Sequence, residues 1–356
     1  MDPASTQQFL LEQYAGHPAS QLQDLRKALH QSAFGCGHLI AEASAAAEGI
    51  RTEFAETGER RREVEGLDGP WARVYLGVLA DGLTPETLAR AFARSAAMPC
   101  EGAEGLVKRL AVLRQLVDTG TLPFSPEEVH AELNRWQREG FPACRHSEAY
   151  RAAYHPAYRV LHRSHVRLLP LLTAIDRALS EKPRVLLAIE GGSASGKSTL
   201  AELLAELWPD TALFHADDFF LRPEQRTAER YAQPGGNLDR ERLEAEILAP
   251  LSRNREVVYR PFDCRTLSLR EPVTVRPGRL NIVEGSYGFH PELAHYYDLS
   301  VFLDISPETQ RRRILARNGP EWGQQFFDRW IPLEQTYFQA TDTRGRCTMA
   351  LHEEEL

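Results

Sequence analysis

Lys197 stands near the end of the run Gly191-Gly192-Ser193-Ala194-Ser195-Gly196-Lys197-Ser198-Thr199, in which two glycines frame four residues ahead of a lysine and a hydroxyl. That spacing suits the polyphosphate tail of a nucleoside triphosphate. The glycines let the main chain wrap so that successive N–H groups converge on phosphate oxygens. Lys197 adds an ammonium for the β- and γ-phosphates, and the Ser198 hydroxyl is a hard oxygen ligand suited to Mg²⁺. ATP and Mg²⁺ are therefore the expected ligands of residues 191–199. A glycine-rich turn with no ligand is the alternative, and the flanking sequence decides against it. An apolar run, Val185–Ile189, enters the loop, and an amphipathic segment bearing Leu200, Leu203, Leu204 and Leu207 leaves it.

Three further sets of side chains could complete a phosphoryl-transfer site. The first is His215-Ala216-Asp217-Asp218-Phe219-Phe220, at the end of the next strand-like run. A carboxylate at the carboxyl end of a strand faces the ligand crevice of a doubly wound sheet, where it can take the proton of an attacking alcohol. Two adjacent aspartates do not both point into one site, so one of them is the expected base. Phe219 and Phe220 could wall the acceptor pocket, with core packing as the alternative. The second set is Leu280–Glu284, an apolar strand ending in an acid, the Walker-B arrangement in which Glu284 holds Mg²⁺ directly or through water.

The third set is Arg311, Arg312, Arg313 and Arg317, which follow Pro307. On one helix they fan over more than half the circumference, so they cannot all reach one ligand. At least one belongs to a solvated basic face; one or two, with Arg313 and Arg317 as the candidates, fold over the phosphates and neutralise charge there. Asn318-Gly319-Pro320 then breaks the helix, as a lid that opens and closes would need.

These residues need a scaffold, and the chain supplies its texture. From Arg184 onward, short β-rich runs (Val185–Ile189, Ala212–Ala216, Leu280–Glu284, Leu299–Leu303) alternate with amphipathic helices, the pattern of an α/β fold with a parallel sheet. Asp239 reads as the cap of a helix that buries Leu243, Ile247 and Leu251. Upstream, the sequence is mainly helical. Thr84-Pro85-Glu86 and Ser125-Pro126-Glu127-Glu128 are helix starts, and Leu106, Leu110, Leu113 and Val117 recur at helical spacing. Trp71–Leu76 is the one strand expected there, and a long helix is expected over Ala157–Leu179, kinked or broken at Pro170. The expected organisation is a mainly helical accessory domain, residues 1–180, ahead of a P-loop NTPase-type domain, residues 181–356.

Composition sets outer limits. The 356 residues exceed the usual size of one domain. A formal net charge of −8 argues against a general nucleic-acid partner. Five scattered cysteines, Cys36, Cys100, Cys144, Cys264 and Cys347, fit reduced thiols rather than a disulfide frame or zinc knuckle. No run approaches the roughly 18 apolar residues of a membrane span, so a cytoplasmic protein is expected.

Taken together, residues 191–199, Asp217-Asp218-Phe219-Phe220, Val283-Glu284-Gly285 and Arg311-Arg312-Arg313 resemble the uridine kinase and nicotinamide riboside kinase group of P-loop kinases. The stretch Phe327-Asp328-Arg329-Trp330-Ile331-Pro332, continuing to Tyr337, is similar to the riboside kinases. The resemblance covers about residues 184–340. It implies a five-stranded parallel sheet with a lid, Asp217 as general base and Glu284 as the metal-associated acid. It also has departures. Where uridine kinases carry an Asp-His-Pro stretch for the ribose and a Tyr-Asp-Phe-x-x-His stretch for the pyrimidine, this chain has Gln233-Pro234-Gly235-Gly236 and Phe262–Leu267. Losing such buried partners shifts selectivity by about 10⁴, which argues against uridine but not against phosphoryl transfer. Asp263 and Arg265 are the remaining polar candidates for acceptor contact.

The favoured expectation is an ATP-dependent kinase of a small hydroxyl compound, such as a nucleoside, sugar or aminoglycoside-like acceptor. A nucleotide-dependent regulatory module with the helical half as output is the alternative, and an AMP-forming enzyme is a third. In the N-terminal half, Gln31–His38 and the group Cys144, His146, His155, His162 and His165 match no ligand pattern for a metal. Closing over the acceptor, recognising it, or forming a homodimer are all roles open to that half.

Overall fold

The computed structural model describes residues 2–36, 43–57 and 61–352; Gly37 and His38, noted above, lie outside these. The chain forms two compact units, Met1–Thr173 and Ala174–Leu356.

The second unit is built on a five-stranded parallel sheet: β1 (Val185–Gly191), β2 (Thr211–His215), β3 (Leu280–Glu284), β4 (Leu299–Asp304) and β5 (Met349–His352), in the spatial order β5-β4-β1-β3-β2. β1 and β3 are buried along their whole length, as central strands covered on both faces must be. Register then sets the site: Glu284 lies level with Ile189 on one side and His215 on the other. Helix α1 (Lys197–Leu207) follows the loop and buries Leu200, Leu204 and Leu207. A core of Phe214, Phe219, Leu243, Ile247, Val257 and Val283 fills the far side of β2 and β3. Asp239 caps the helix at Arg240, accepting a bond from the Arg242 amide at 3.2 Å. Helix α2 (Pro307–Gln325) breaks at Gly319, whose φ of 74° leaves the helical region, and helix α3 (Ile331–Thr341) follows further on. Two small antiparallel ladders, Val257–Tyr259 with Val273–Val275 and Phe262–Asp263 with Ser268–Leu269, were not expected from the sequence.

The first unit packs helices on a small antiparallel sheet. Trp71–Tyr75 is its central strand, paired with Val64–Gly66 and with Tyr158–His162. The last of these overturns the long helix expected over Ala157–Leu179. Val160 and Leu161 fit a strand as well as a helix, and cross-strand pairing with Trp71–Tyr75 settles the choice. The interruption expected at Pro170 is a break: a short helix, Arg163–Arg167, ends at Leu168, and a second, Leu169–Glu181, starts with Pro170 in its first turn, where its missing N–H costs nothing. The other helix starts stand where the caps indicate: Thr84 caps Pro85–Ala96 and Ser125 caps Pro126–Arg138.

Candidate active site

At the end of β1 the chain turns at Gly191, whose φ is +147° and where a Cβ would come within 2.6 Å of the Leu303 carbonyl oxygen. Only glycine fits there. The loop then curls around the Lys197 ammonium, which donates to the Gly191 and Gly192 carbonyls at 2.9 Å each. Ser195 is wholly buried and its hydroxyl has no hydrogen-bond partner among the described residues. An unanswered hydroxyl and a captive ammonium in a glycine-lined cradle fit a phosphate group. From α2, the Arg313 guanidinium reaches the Ala194 and Ser195 carbonyls at 3.2 and 3.3 Å, and Gln310 Nε2 donates to the Ser193 carbonyl at 2.9 Å.

Beside the loop, the Ser198 hydroxyl donates to Glu284 Oε1 at 3.1 Å, and His215 Nδ1 lies 2.6 Å from the same oxygen. A hydroxyl and a buried carboxylate side by side are hard oxygen donors that fit Mg²⁺. The bond to Glu284 raises the pKa of the His215 imidazole against the effect of burial. His215 is a member of this group that the sequence did not single out.

Asp217 follows β2 in a single helical turn, Ala216–Phe219. Its side chain is exposed to solvent, with protein mass gathered around it. That surrounding mass strips part of its hydration and raises its pKa; Lys197 pulls it down again, and Glu284 and Glu334 push it up. Among the described residues none hydrogen-bonds its side chain, which leaves both oxygens free for a ligand. Asp218 is half-buried, with the Tyr259 hydroxyl at 3.5 Å.

Other expected site residues lie elsewhere. Phe219, expected at the acceptor pocket, is fully buried in the core, its ring stacked on Tyr259 at 5.6 Å; as the inward-facing residue of the turn it packs rather than lines a cleft. Asp263 holds its own hairpin, accepting from the Arg265 amide at 2.8 Å and from Arg270 Nε at 3.0 Å. Arg265 is exposed on that hairpin. Arg317 contacts Asn318 Oδ1 at 2.9 Å and the Phe326 ring at 5.6 Å rather than the loop. Helix geometry explains why: Arg313 and Arg317 are one turn apart, and only the former meets the loop carbonyls.

Two acids escaped the sequence reading. Glu334, on α3, accepts from the Ser193 amide at 2.9 Å and from the Ser193 and Ser286 hydroxyls at 2.6 and 3.1 Å. In sequence it looks like any acid in a first helical turn. Its position within the stretch continuing to Tyr337 was the only available signal. Glu190 is fully buried and accepts from the amides of Tyr287 and Phe289, both at 2.9 Å. Burial pushes its carboxyl up to about 7, against the pull of these amides and of Lys197.

A glycine-framed loop between a buried parallel strand and a helix, with an acid at the end of the neighbouring strand, defines a P-loop nucleotide-binding unit. No protein-family model matches the chain. It is similar to the uridine kinase of Chlamydia pneumoniae, with 27% identity over 149 residues, spanning 39% of this chain and 66% of that protein. Similar solved structures include one described as a possible uridine kinase from Bacillus stearothermophilus, with 22% identity and a TM-score of 0.39 over 51% of this chain and 99% of that one. Another is D-glycerate 3-kinase from Cryptococcus neoformans, with 17% identity and a TM-score of 0.38 over 52% and 94%. Among the described residues, no helix is long and apolar enough to cross a membrane, and no group of three or more His, Cys, Asp or Glu side chains could hold a metal ion.

Proposed function

We propose that this chain is an ATP-dependent kinase that moves the γ-phosphoryl group of ATP to a hydroxyl of a small polyol, with Asp217 as the general base. The observation that carries the reading is the meeting of three features at the carboxyl ends of β1, β2 and β3. They are the Lys197 cradle, the Ser198–Glu284 oxygen pair and a carboxylate, Asp217, with no hydrogen-bonding partner of its own among the described residues. A site that only bound a nucleotide would need no such carboxylate.

In this account Asp217 accepts the proton of the acceptor hydroxyl as its oxygen bonds to phosphorus and the bond to the ADP oxygen breaks. Lys197 and Arg313 offset the charge on the transferred group, and Glu334 holds the loop through Ser193. Ser198 and Glu284 would hold Mg²⁺, which supplies charge neutralisation between the phosphates. The similarity to a uridine kinase supports a small hydroxyl acceptor. Pro234 to Gly236 and the Asp263 hairpin, where ribose and pyrimidine contacts would be sought, favour an acceptor other than uridine. Residues 1–180 we read as an accessory domain. The test is ADP release by the purified protein against nucleosides, sugars, aminoglycosides and amino alcohols. Acceptor-dependent ADP formation supports the proposal, whereas acceptor-independent hydrolysis across the panel, or AMP as product, contradicts it.

A further inference from the structure

His215 sits beside the candidate Mg²⁺ donors with no step of phosphoryl transfer assigned to it. Strand register puts it there. β2 and β3 run parallel, and His215 and Glu284, the last residues of the two strands, are partners across them. Side chains paired in this way project from the same face of a sheet. The imidazole therefore meets the acid, with Nδ1 at 2.6 Å from Glu284 Oε1. A carboxylate oxygen only accepts, so Nδ1 carries the proton of this bond and donates it. The same oxygen accepts from the Ser198 hydroxyl at 3.1 Å. Glu284 Oε1 is thus held from two sides, by helix α1 through Ser198 and by β2 through His215.

The contact does little for the fold. The Glu284 side chain is 7% exposed, but that of His215 is 46% exposed, and an ion pair with so wet a partner adds little stability. Nor is the ring part of the core that Phe214 and Ala216 enter on either side of it. The imidazole is also the wrong donor for the ion itself, because Mg²⁺ takes oxygen ligands. What His215 can do is hold the acid still. By giving its proton to Glu284, the Ser198 hydroxyl keeps its lone pairs for a cation. That arrangement lasts only while the carboxylate stays in place, and with Ser198 as its one remaining donor the Glu284 side chain could rotate away. Partners that orient a metal's ligands in this manner are worth about 10- to 100-fold in metal affinity.

We propose that His215 is a positioning residue: through Nδ1–H it fixes Glu284, and through Glu284 the Ser198 hydroxyl, in the orientation that receives Mg²⁺ with the triphosphate. This role rests on the reading of residues 191–199 and Glu284 as an ATP·Mg²⁺ site.

The probe is the β,γ-imido analogue of ATP, titrated calorimetrically into the full chain once in Mg²⁺ and once in EDTA. The ratio of the two affinities is the gain the ion supplies. His215→Ala should keep the affinity in EDTA and the melting temperature of wild type, while its Mg²⁺ gain falls about tenfold or more. His215→Asn, which can present an N–H donor close to the place of Nδ1, should recover most of that gain. An undiminished gain in His215→Ala, or a larger one because the imidazole competes with the ion, would overturn the proposal. So would an equal loss of affinity in EDTA, which would mark a support of the loop, or failure of Asn to restore the gain. Those outcomes leave the ATP site standing, whereas absence of analogue binding by wild type in Mg²⁺ would overturn the ATP site and this role together.

Discussion

Replacing Asp217 by Asn separates chemistry from binding at this site. The amide keeps the shape of the carboxylate but cannot take a proton. Among the described residues Asp217 makes no side-chain hydrogen bond that the change would break, and it sits near two further acids, Glu284 and Glu334. Folding stability should therefore change by no more than about 0.5 kcal/mol, the usual range for a surface substitution that removes no specific contact. Nucleotide affinity should hold or rise slightly, since one negative charge leaves the neighbourhood of the phosphates. Turnover should fall by about 10² to 10⁴, the range for a positioned general base, equivalent to about 3 to 5 kcal/mol of barrier. The assay is acceptor-dependent ADP release, run beside calorimetry of ATP·Mg²⁺ on the same preparation. Wild-type turnover in Asp217→Asn, or loss of nucleotide binding together with turnover, would refute the assignment of Asp217 as the base.

Other expectations follow from the same geometry. Gly191→Ala forces a side chain into a φ of +147° and against the Leu303 carbonyl, so it should cost about 2 to 4 kcal/mol of stability and abolish nucleotide binding, read by urea denaturation and calorimetry. Arg313→Ala should lower kcat by about 10², whereas Arg317→Ala, whose guanidinium rests on Phe326, should leave kcat within about twofold of wild type, given how little an exposed substitution changes. In the first unit, burial depresses the His146 pKa to about 4 from an ordinary value of 6.5. The unfolded chain thus takes up a proton near pH 6.5 that the folded chain refuses until about pH 4. Stability from this residue is full above pH 6.5 and is lost as pH falls towards 4, by up to about 3 kcal/mol. Protection factors of the Trp71–Tyr75 amides, taken against the intrinsic exchange rate at each pH, should fall over that window, and His146→Gln should flatten the dependence.

The phosphate loop was legible because local sequence makes it whole: glycines, lysine and serine are contiguous, and the apolar run before them is a buried strand. Four of the five parallel strands were legible for the same reason. Met349–His352 was not, since a half-exposed run of four residues carries little periodic signal. The Phe219 misreading has a physical cause as well. In the 3₁₀ turn Ala216–Phe219 each residue rotates by about 120°, so residues two apart diverge, and with Asp217 exposed Phe219 turns into the core. Glu334 and Glu190 were invisible because what they do depends on contacts 141 and 97 residues away in sequence.

The most direct test of the whole account is calorimetric titration of the full chain with ATP and with GTP in saturating Mg²⁺, on wild type and on Lys197→Ala. The account predicts saturable one-to-one binding of a triphosphate by wild type and its loss in the variant. Absence of heat with either nucleotide, or undiminished binding without the Lys197 ammonium, would contradict it.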